Sequence, residues 1–374
     1  MTAPVRRSPS GRIRLAAVAL LVSALAARPG LAADADALFT VAGVHVDETA
    51  ANAVAARDAA RRDGESRALR TLLERLTLDA DHGRLPHPSD QHITDMVRDF
   101  EVANERSSAV RYIADETVRF QPDAIRNVLR QAAIPFSEEV SKSVVVLPVL
   151  RGGDQSVLWE DPNPWRDAWA AAAPPGGLVP LVVPLGDAED IAAVDAGRAL
   201  AGEPAALAAI AARYRAGDAL VAVASAGPGG EIDVAARRVS SSGAADLPPI
   251  IARPDPGESA GVVMAKAVTA TMQAVEEAWK RDTIVAPGQQ GTLTATVPLT
   301  NLTDWLAVRD RLRGVAVIQS SALVKLSRGA AEVELRYSGD PARLRLALAQ
   351  RDLVLSGSDG AWVLQRQRGD GAPP

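Results

Sequence analysis

The residues of this chain best suited to chemistry are histidines gathered in one short segment. Three of the four histidines, His82, His87 and His92, lie in "DADHGRLPHPSDQH" with several aspartates. Imidazole and carboxylate groups are ligands for zinc, copper and nickel. Two metal ligands on one helix need a spacing of three or four, whereas these histidines are five apart and are separated by glycine and prolines. We therefore expect a loop, which is either a weak metal site or an exposed polar connector.

A second candidate site is the tryptophan-rich segment "LWEDPNPWRDAW". It contains three of the six tryptophans: Trp159, Trp165 and Trp169. Asn163 followed by proline is typical of a helix start, and this places the last two tryptophans, four residues apart, on one helix face. The segment predicts either an aromatic platform for a sugar, a peptide or a partner protein, with Asp161 and Arg166 at its rim, or a helix that its tryptophans anchor to a sheet.

One stretch matches the sequence of a catalytic motif but lacks the partner residue that the motif needs. Residues 257–261, "GESAG", match the GxSxG sequence around the nucleophilic serine of α/β-hydrolases. Those enzymes need a histidine later in the chain, but none follows His92. We therefore expect Glu258 and Ser259 to begin a helix, and we predict no catalytic residue and no cofactor. An enzyme of an unfamiliar type stays open as an alternative, because polar residues from distant segments can meet in the fold.

Composition and the N-terminus predict where the protein works. Residues 1–33 combine arginines, the apolar run "LAAVALLVSALAA" and small residues, as a cleaved secretory signal does. The run is too short to span a bilayer, so we expect a periplasmic protein with no stable membrane span after cleavage. The chain has no cysteine, which excludes disulfides and thiolate metal sites. Its formal net charge of −5 argues against nucleic-acid binding.

The elements that must position these residues fall into three small modules of α/β and α+β class. Residues 34–140 read strand, helix, strands, helix. Residues 141–285 contain near-continuous apolar runs, "SVVVLPVL", "GLVPLVVPL" and "DALVAVASA", which predict a mixed α/β sandwich with parallel strands. Residues 291–366 read strand-helix-strand-strand-helix-strand, the split βαβ order of ferredoxin-like folds.

Three stretches together resemble a family of exported proteobacterial proteins catalogued as domain of unknown function number 2066. They are "VAGVHVDETAANAVAARDAARRDGESRALRTLL", "VVVLPVLRGG" with "LWEDPNPWRDAW", and "DWLAVRDRLRGVAVIQ". The resemblance covers nearly the whole chain after residue 33. It implies export and a multi-module build, but no activity and no site residues.

The function that these features favour is a noncatalytic periplasmic scaffold in cell-envelope assembly or maintenance, with an envelope protein as its partner. Exposed sheet edges in the first and third modules would suit the addition of a partner strand. The alternative is a periplasmic binding protein for a small ligand or a metal, using the tryptophan segment or the histidine loop. The oligomeric state and the partner are left open by the sequence.

Overall fold

The computed structural model of the chain describes residues 37–153, 155–172, 176–240, 243–284, 289–358 and 360–367. The signal segment expected at residues 1–33 lies outside these residues. The fold is mixed α/β, as expected, and contains three sheets with helices packed on them. Within the described residues no helix is both long and apolar enough to cross a membrane.

The first sheet has the order β1-β3-β2 and is antiparallel. Its elements are β1 (Thr40–Thr49), α1 (Ala53–Leu76), α2 (Asp90–Met96), β2 (Val97–Ser107), β3 (Arg111–Phe120) and α3 (Pro122–Gln131). Helix α1 begins where the Asn52 side chain accepts a hydrogen bond from the Ala55 amide. It packs a buried stripe on the sheet that includes four leucines at helical spacing: Leu69, Leu72, Leu73 and Leu76.

The stretch "ITDMVRDF" has a helical pattern, but only its first half is helical. Helix α2 ends at Met96, and Val97 already pairs with Phe120 of β3. Pairing along the sheet decides the conformation of the remaining residues, because tertiary contacts outweigh the weak helix propensity of so short a segment.

The second sheet is mixed. Its strands are β4 (Val144–Gly152), β5 (Gln155–Val157), β6 (Leu181–Val182), β7 (Asp218–Ala226), β8 (Ile232–Ser240), β9 (Gly243–Asp246) and β10 (Ile250–Ala252). The order is β10-β8-β7-β4-β5, with β6 beside β4 and β9 beside β8. Strand β4 is parallel to β7, as its continuous apolar run predicts. The run "GLVPLVVPL" forms only the two-residue β6, because its prolines cannot donate to a sheet.

The helices of the second module cover both faces of this sheet. They are α4 (Pro164–Ala171), α5 (Ala188–Ala193), α6 (Ala196–Ala201), α7 (Pro204–Arg213) and α8 (Ala260–Thr283). The apolar core under α8 is continuous with the core of the first module. Between the two modules, Lys280 of α8 donates to the carbonyl oxygens of Glu74 and Thr77, at the end of α1.

The third sheet has the order β12-β13-β11-β15-β14. Its elements are β11 (Gln290–Pro298), α9 (Leu302–Leu312), β12 (Ile318–Leu326), β13 (Ala330–Ser338), α10 (Pro341–Ala349), β14 (Leu353–Ser356) and β15 (Trp362–Arg366). The split βαβ arrangement is present, because β13 lies between β11 and β12 and is antiparallel to both. Strand β15 inserts between β11 and β14, where a ferredoxin-like sheet would join those two strands directly.

Candidate functional site

The histidine segment folds as a short connector. His82 lies in a 3-10 turn (Asp79–Arg84), His92 lies in α2, and His87 lies between them. The Nε2 atom of His82 is 3.8 Å from the carboxylate of Asp79, and the His82 carbonyl oxygen accepts a hydrogen bond from Arg70. No three His, Asp or Glu side chains in the described part of the chain lie close enough together to hold a metal ion. This geometry is compatible with an exposed polar connector, and the metal site stays a prediction.

The tryptophans of "LWEDPNPWRDAW" lie in the core. Trp165 is 0% exposed, and Trp159 and Trp169 are buried as well. The Trp165 and Trp169 rings meet edge to face with centroids 5.8 Å apart, and Trp165 Nε1 donates to the Ala222 carbonyl oxygen of β7. Rings enclosed in this way favour the second of the two interpretations, in which the tryptophans anchor α4 to the sheet.

The two residues expected at the rim of that platform bind each other. Arg166 donates to the carboxylate of Asp161 at 2.6 Å and also to the Trp159 carbonyl oxygen. Asn163 caps α4 by accepting a hydrogen bond from the Arg166 amide, as predicted. These contacts fix the loop before α4. The side chains of Asp161 and Arg166 are therefore bound to groups of the same protein.

Ser259 occupies the N-cap position of α8, in agreement with a helix start. Glu258 accepts hydrogen bonds from the Lys266 ammonium at 2.6 Å and from the Asp255 amide at 2.8 Å. The "GESAG" stretch is therefore a helix N-terminus with its own ion pair.

Sequence reasoning missed a pair of buried carboxylates between α1 and β3. Glu65 and Glu116 are both only 2% exposed. Glu65 accepts a hydrogen bond from the Thr94 hydroxyl and pairs with Arg61, whereas Glu116 Oε2 makes no hydrogen bond within the described residues. Burial, followed by the charge of Glu65, raises the pKa of Glu116 to about 7. The available signal was the alternation in β3, which places Glu116 on the same face as Ala114 and Val118.

A second buried carboxylate, Glu139, lies where the third module meets the rest of the chain. It is 3% exposed, and burial raises its pKa to about 7, while the charge of Arg351 and the Ala316 amide act in the opposite direction. Next to it, Lys142 pairs with Asp352 at 2.6 Å, and the Lys142 amide donates to Gln350. These contacts attach the third module through polar groups.

The surface best suited to bind a partner lies on the third module, between α9 and the edge strand β12. It is a groove of about 320 Å³ lined by Trp305, Arg309, Arg313, Ser321 and Leu323. In the described residues β12 pairs with β13 alone, so its other edge is unpaired. We call this surface the α9–β12 groove.

Apolar side chains are exposed around the α9–β12 groove. Leu302 and Leu306 project from α9, and Leu323, Val324 and Leu326 project from β12. The register between β12 and β13 shifts before Ser320 and again after Leu323. The residues between these two shifts are paired regularly with β13. Single exposed leucines are ordinary on a protein surface, but here they accompany an open strand edge and a groove, a combination that favours an interaction site.

One edge strand of the first module, β2, differs from β12 in its charge. Strand β2, at the edge of its sheet, carries five charged side chains: Arg98, Asp99, Glu101, Glu105 and Arg106. Strand β12 carries only Lys325. Charged edges resist the addition of further strands, so β12 is a better candidate than β2 to bind a partner.

The fold and the groove define a multi-module α/β protein with an open sheet edge. Residues 39–138 match the model of a domain of unknown function, DUF8605. The match covers the first sheet with its helices, including Glu65 and Glu116. It agrees with membership of an uncharacterised family for that module, but it does not support the number 2066 or a proteobacterial source. No curated protein matches the chain.

Proposed function

We propose that this protein is a noncatalytic interaction scaffold of the cell envelope and that it binds an extended segment of a partner protein along β12. The observation that carries the proposal is the unpaired edge of β12 beside the α9–β12 groove. An added strand gains main-chain hydrogen bonds from such an edge, and a neighbouring groove selects its side chains.

The periplasmic location belongs to the proposal and is supported by the signal-like pattern of residues 1–33. The finer family assignment, to exported proteobacterial proteins, is also a proposal and is supported by the quoted sequence resemblance. The alternative function, a binding protein for a small ligand or a metal, has less support. The tryptophan rings are buried, and the described residues hold no group of three potential metal ligands.

Site-specific crosslinking tests the strand-addition function in the cells that make the protein. A photoreactive phenylalanine derivative replaces Ala322 on β12 in the full-length chain, and Val354 on the opposite edge strand β14 is the control position. We expect one dominant protein adduct from position 322, mapped by mass spectrometry to a single segment of the partner, and no such adduct from position 354.

A matched pair of substitutions makes the result specific. Leu323 is 45% exposed and Val354 is 44% exposed, and both lie on edge strands. Leu323→Asp should abolish the adduct, because it places a carboxylate in the groove, and Val354→Asp should leave it intact. The proposal fails if position 322 gives no adduct, or if both substitutions affect the adduct equally.

A further inference from the structure

The α9–β12 groove is apolar at one end and cationic at the other. Leu302, Leu306, Arg309 and Arg313 form a single stripe along α9, with separations of four, three and four residues. The two arginines line the cationic end of the groove, and the two leucines continue the stripe beyond its apolar end at Trp305. Trp305 and Leu323 lie on the floor and the opposite wall.

The arginines of this stripe have little compensating charge. The nearest carboxylate to both is that of Asp310, at 3.3 Å from Arg309 and at 3.7 Å from Arg313, and it is itself largely exposed. The Nε atom of Arg309 is buried and makes no hydrogen bond within the described residues. This end of the groove therefore attracts an anionic group that can accept hydrogen bonds.

The spacing of the arginines matches an extended chain. Four helical residues advance about 6 Å along the axis. Alternate residues of a strand, which share one face, are about 6.7 Å apart. Two acidic residues at positions i and i+2 of an added strand can therefore each reach one guanidinium, while an apolar residue farther along the same face reaches Trp305 and Leu323.

We infer that the segment bound in the α9–β12 groove is an extended acidic segment of a partner protein, with alternate carboxylates on Arg309 and Arg313 and an apolar side chain against Trp305 and Leu323. This inference rests on the proposed function and names the chemical class of the partner.

Peptide titration of the full chain tests it. The probe is the palindromic peptide Glu-Thr-Glu-Thr-Leu-Thr-Glu-Thr-Glu, which presents the same pattern in both strand directions, and the control replaces each Glu by Lys. Binding is followed by the NMR signal of the Trp305 indole, with the Trp165 indole, enclosed in another module, as the internal reference. We expect the acidic peptide to shift the Trp305 signal and the lysine peptide to bind at least tenfold more weakly.

Charge reversal gives the decisive comparison. Arg309→Glu combined with Arg313→Glu should weaken the acidic peptide at least tenfold and should strengthen the lysine peptide. Arg336→Glu is the matched control, because Arg336 is exposed on β13 and does not line the groove. Added salt should weaken only the charge-dependent binding.

The outcomes separate this inference from the proposed function. Equal binding of both peptides, or no response to charge reversal, overturns the acidic specificity. Strand addition is then decided by the crosslinking experiment alone. Failure of both peptides to bind overturns it as well. A concentration-dependent dimer that Leu323→Asp dissociates in sedimentation would assign the groove to a second copy of this chain, and it would overturn the acidic partner while strand addition stands.

Discussion

Gly64 lies directly against the carboxylate of Glu116. A Cβ atom at position 64 would be 2.1 Å from Glu116 Oε2 and 3.0 Å from the Val46 side chain. Glycine in the middle of a helix costs about 1 kcal/mol relative to alanine, yet α1 carries it at this position. The helix thus gives up intrinsic stability to make room for a buried acid, and Gly64, Glu65 and Glu116 form one structural unit.

The first prediction concerns that contact. Gly64→Ala should lower the free energy of unfolding by about 1–3 kcal/mol despite the better helix propensity of alanine, because the methyl group collides with Glu116. Chemical denaturation measures the change. In the Gly64→Ala/Glu116→Ala double variant the collision is gone, so the two effects should be non-additive by 1 kcal/mol or more, on the order expected for residues in contact. Additive effects would show that the contact is not the cause.

The second prediction is a pH dependence of stability. The folded chain holds a proton on Glu116 with a pKa of about 7, above the value of 4.5 for an unperturbed glutamate. The folded state therefore binds more protons than the unfolded state between these values, and stability falls as pH rises through this window. The loss of unfolding free energy that Glu116 causes is on the order of 3 kcal/mol. This loss is complete by about pH 7 to 8.

Glu116→Gln removes this contribution, because the amide stays neutral. We expect the variant to unfold at a higher temperature than the wild type at pH 8 and to show a smaller decline in melting temperature between pH 5 and pH 8. A residual decline should persist, since the pKa of Glu139 is also raised to about 7. Glu101→Gln, on the exposed edge strand β2, is the control and should leave the pH profile unchanged. An unaltered profile in Glu116→Gln would contradict the assignment.

The third prediction concerns the junction of the first two modules. Lys280 is 4% exposed, donates to two carbonyl oxygens at the end of α1 and pairs with Glu277 at 3.1 Å. Lys280→Met should lower the free energy of unfolding by about 2–4 kcal/mol, because it leaves two buried carbonyl oxygens and a partly buried carboxylate without their partner.

Lys266 on the same helix is the matched control. It pairs with Asp255 and Glu258 at the surface, so Lys266→Met should cost less than about 1 kcal/mol. Denaturant titration of both variants tests the difference. Equal losses would mean that the burial of Lys280 has no special role.

The fourth prediction concerns export. If residues 1–33 are a signal that is removed after Ala33, the mature protein begins at Asp34. Mass spectrometry of the N-terminal peptide from a periplasmic extract should detect this terminus. A protein that keeps residue 1 and fractionates with the cytoplasm would refute both the cleavage and the location.

Local patterns in the sequence predicted much of the secondary structure. The alternation of "TLTATVPL" predicts a strand, the spacing of Trp305, Val308 and Leu312 predicts a helix with one buried face, and Asp340 before a proline predicts a helix start. Each pattern depends on neighbours within a few residues, and each prediction is confirmed by β11, α9 and α10. A final strand over "AWVLQ" was expected and is present as β15, but its place between β11 and β14 was not predicted. The early end of α2 was not predicted either, because pairing partners distant in sequence decide both features.

For the candidate sites too, some features follow from the sequence and others only from the tertiary structure. The sequence by itself determined the absence of cysteine, the acidic charge, the mixed α/β class and the helix start at Asn163. Only the tertiary structure decided that the tryptophans face the core, that Glu65 and Glu116 meet, and that α9 leaves a groove beside β12. Burial and pairing depend on which distant segments pack together, and side-chain periodicity records only that one face of an element is covered, not what covers it.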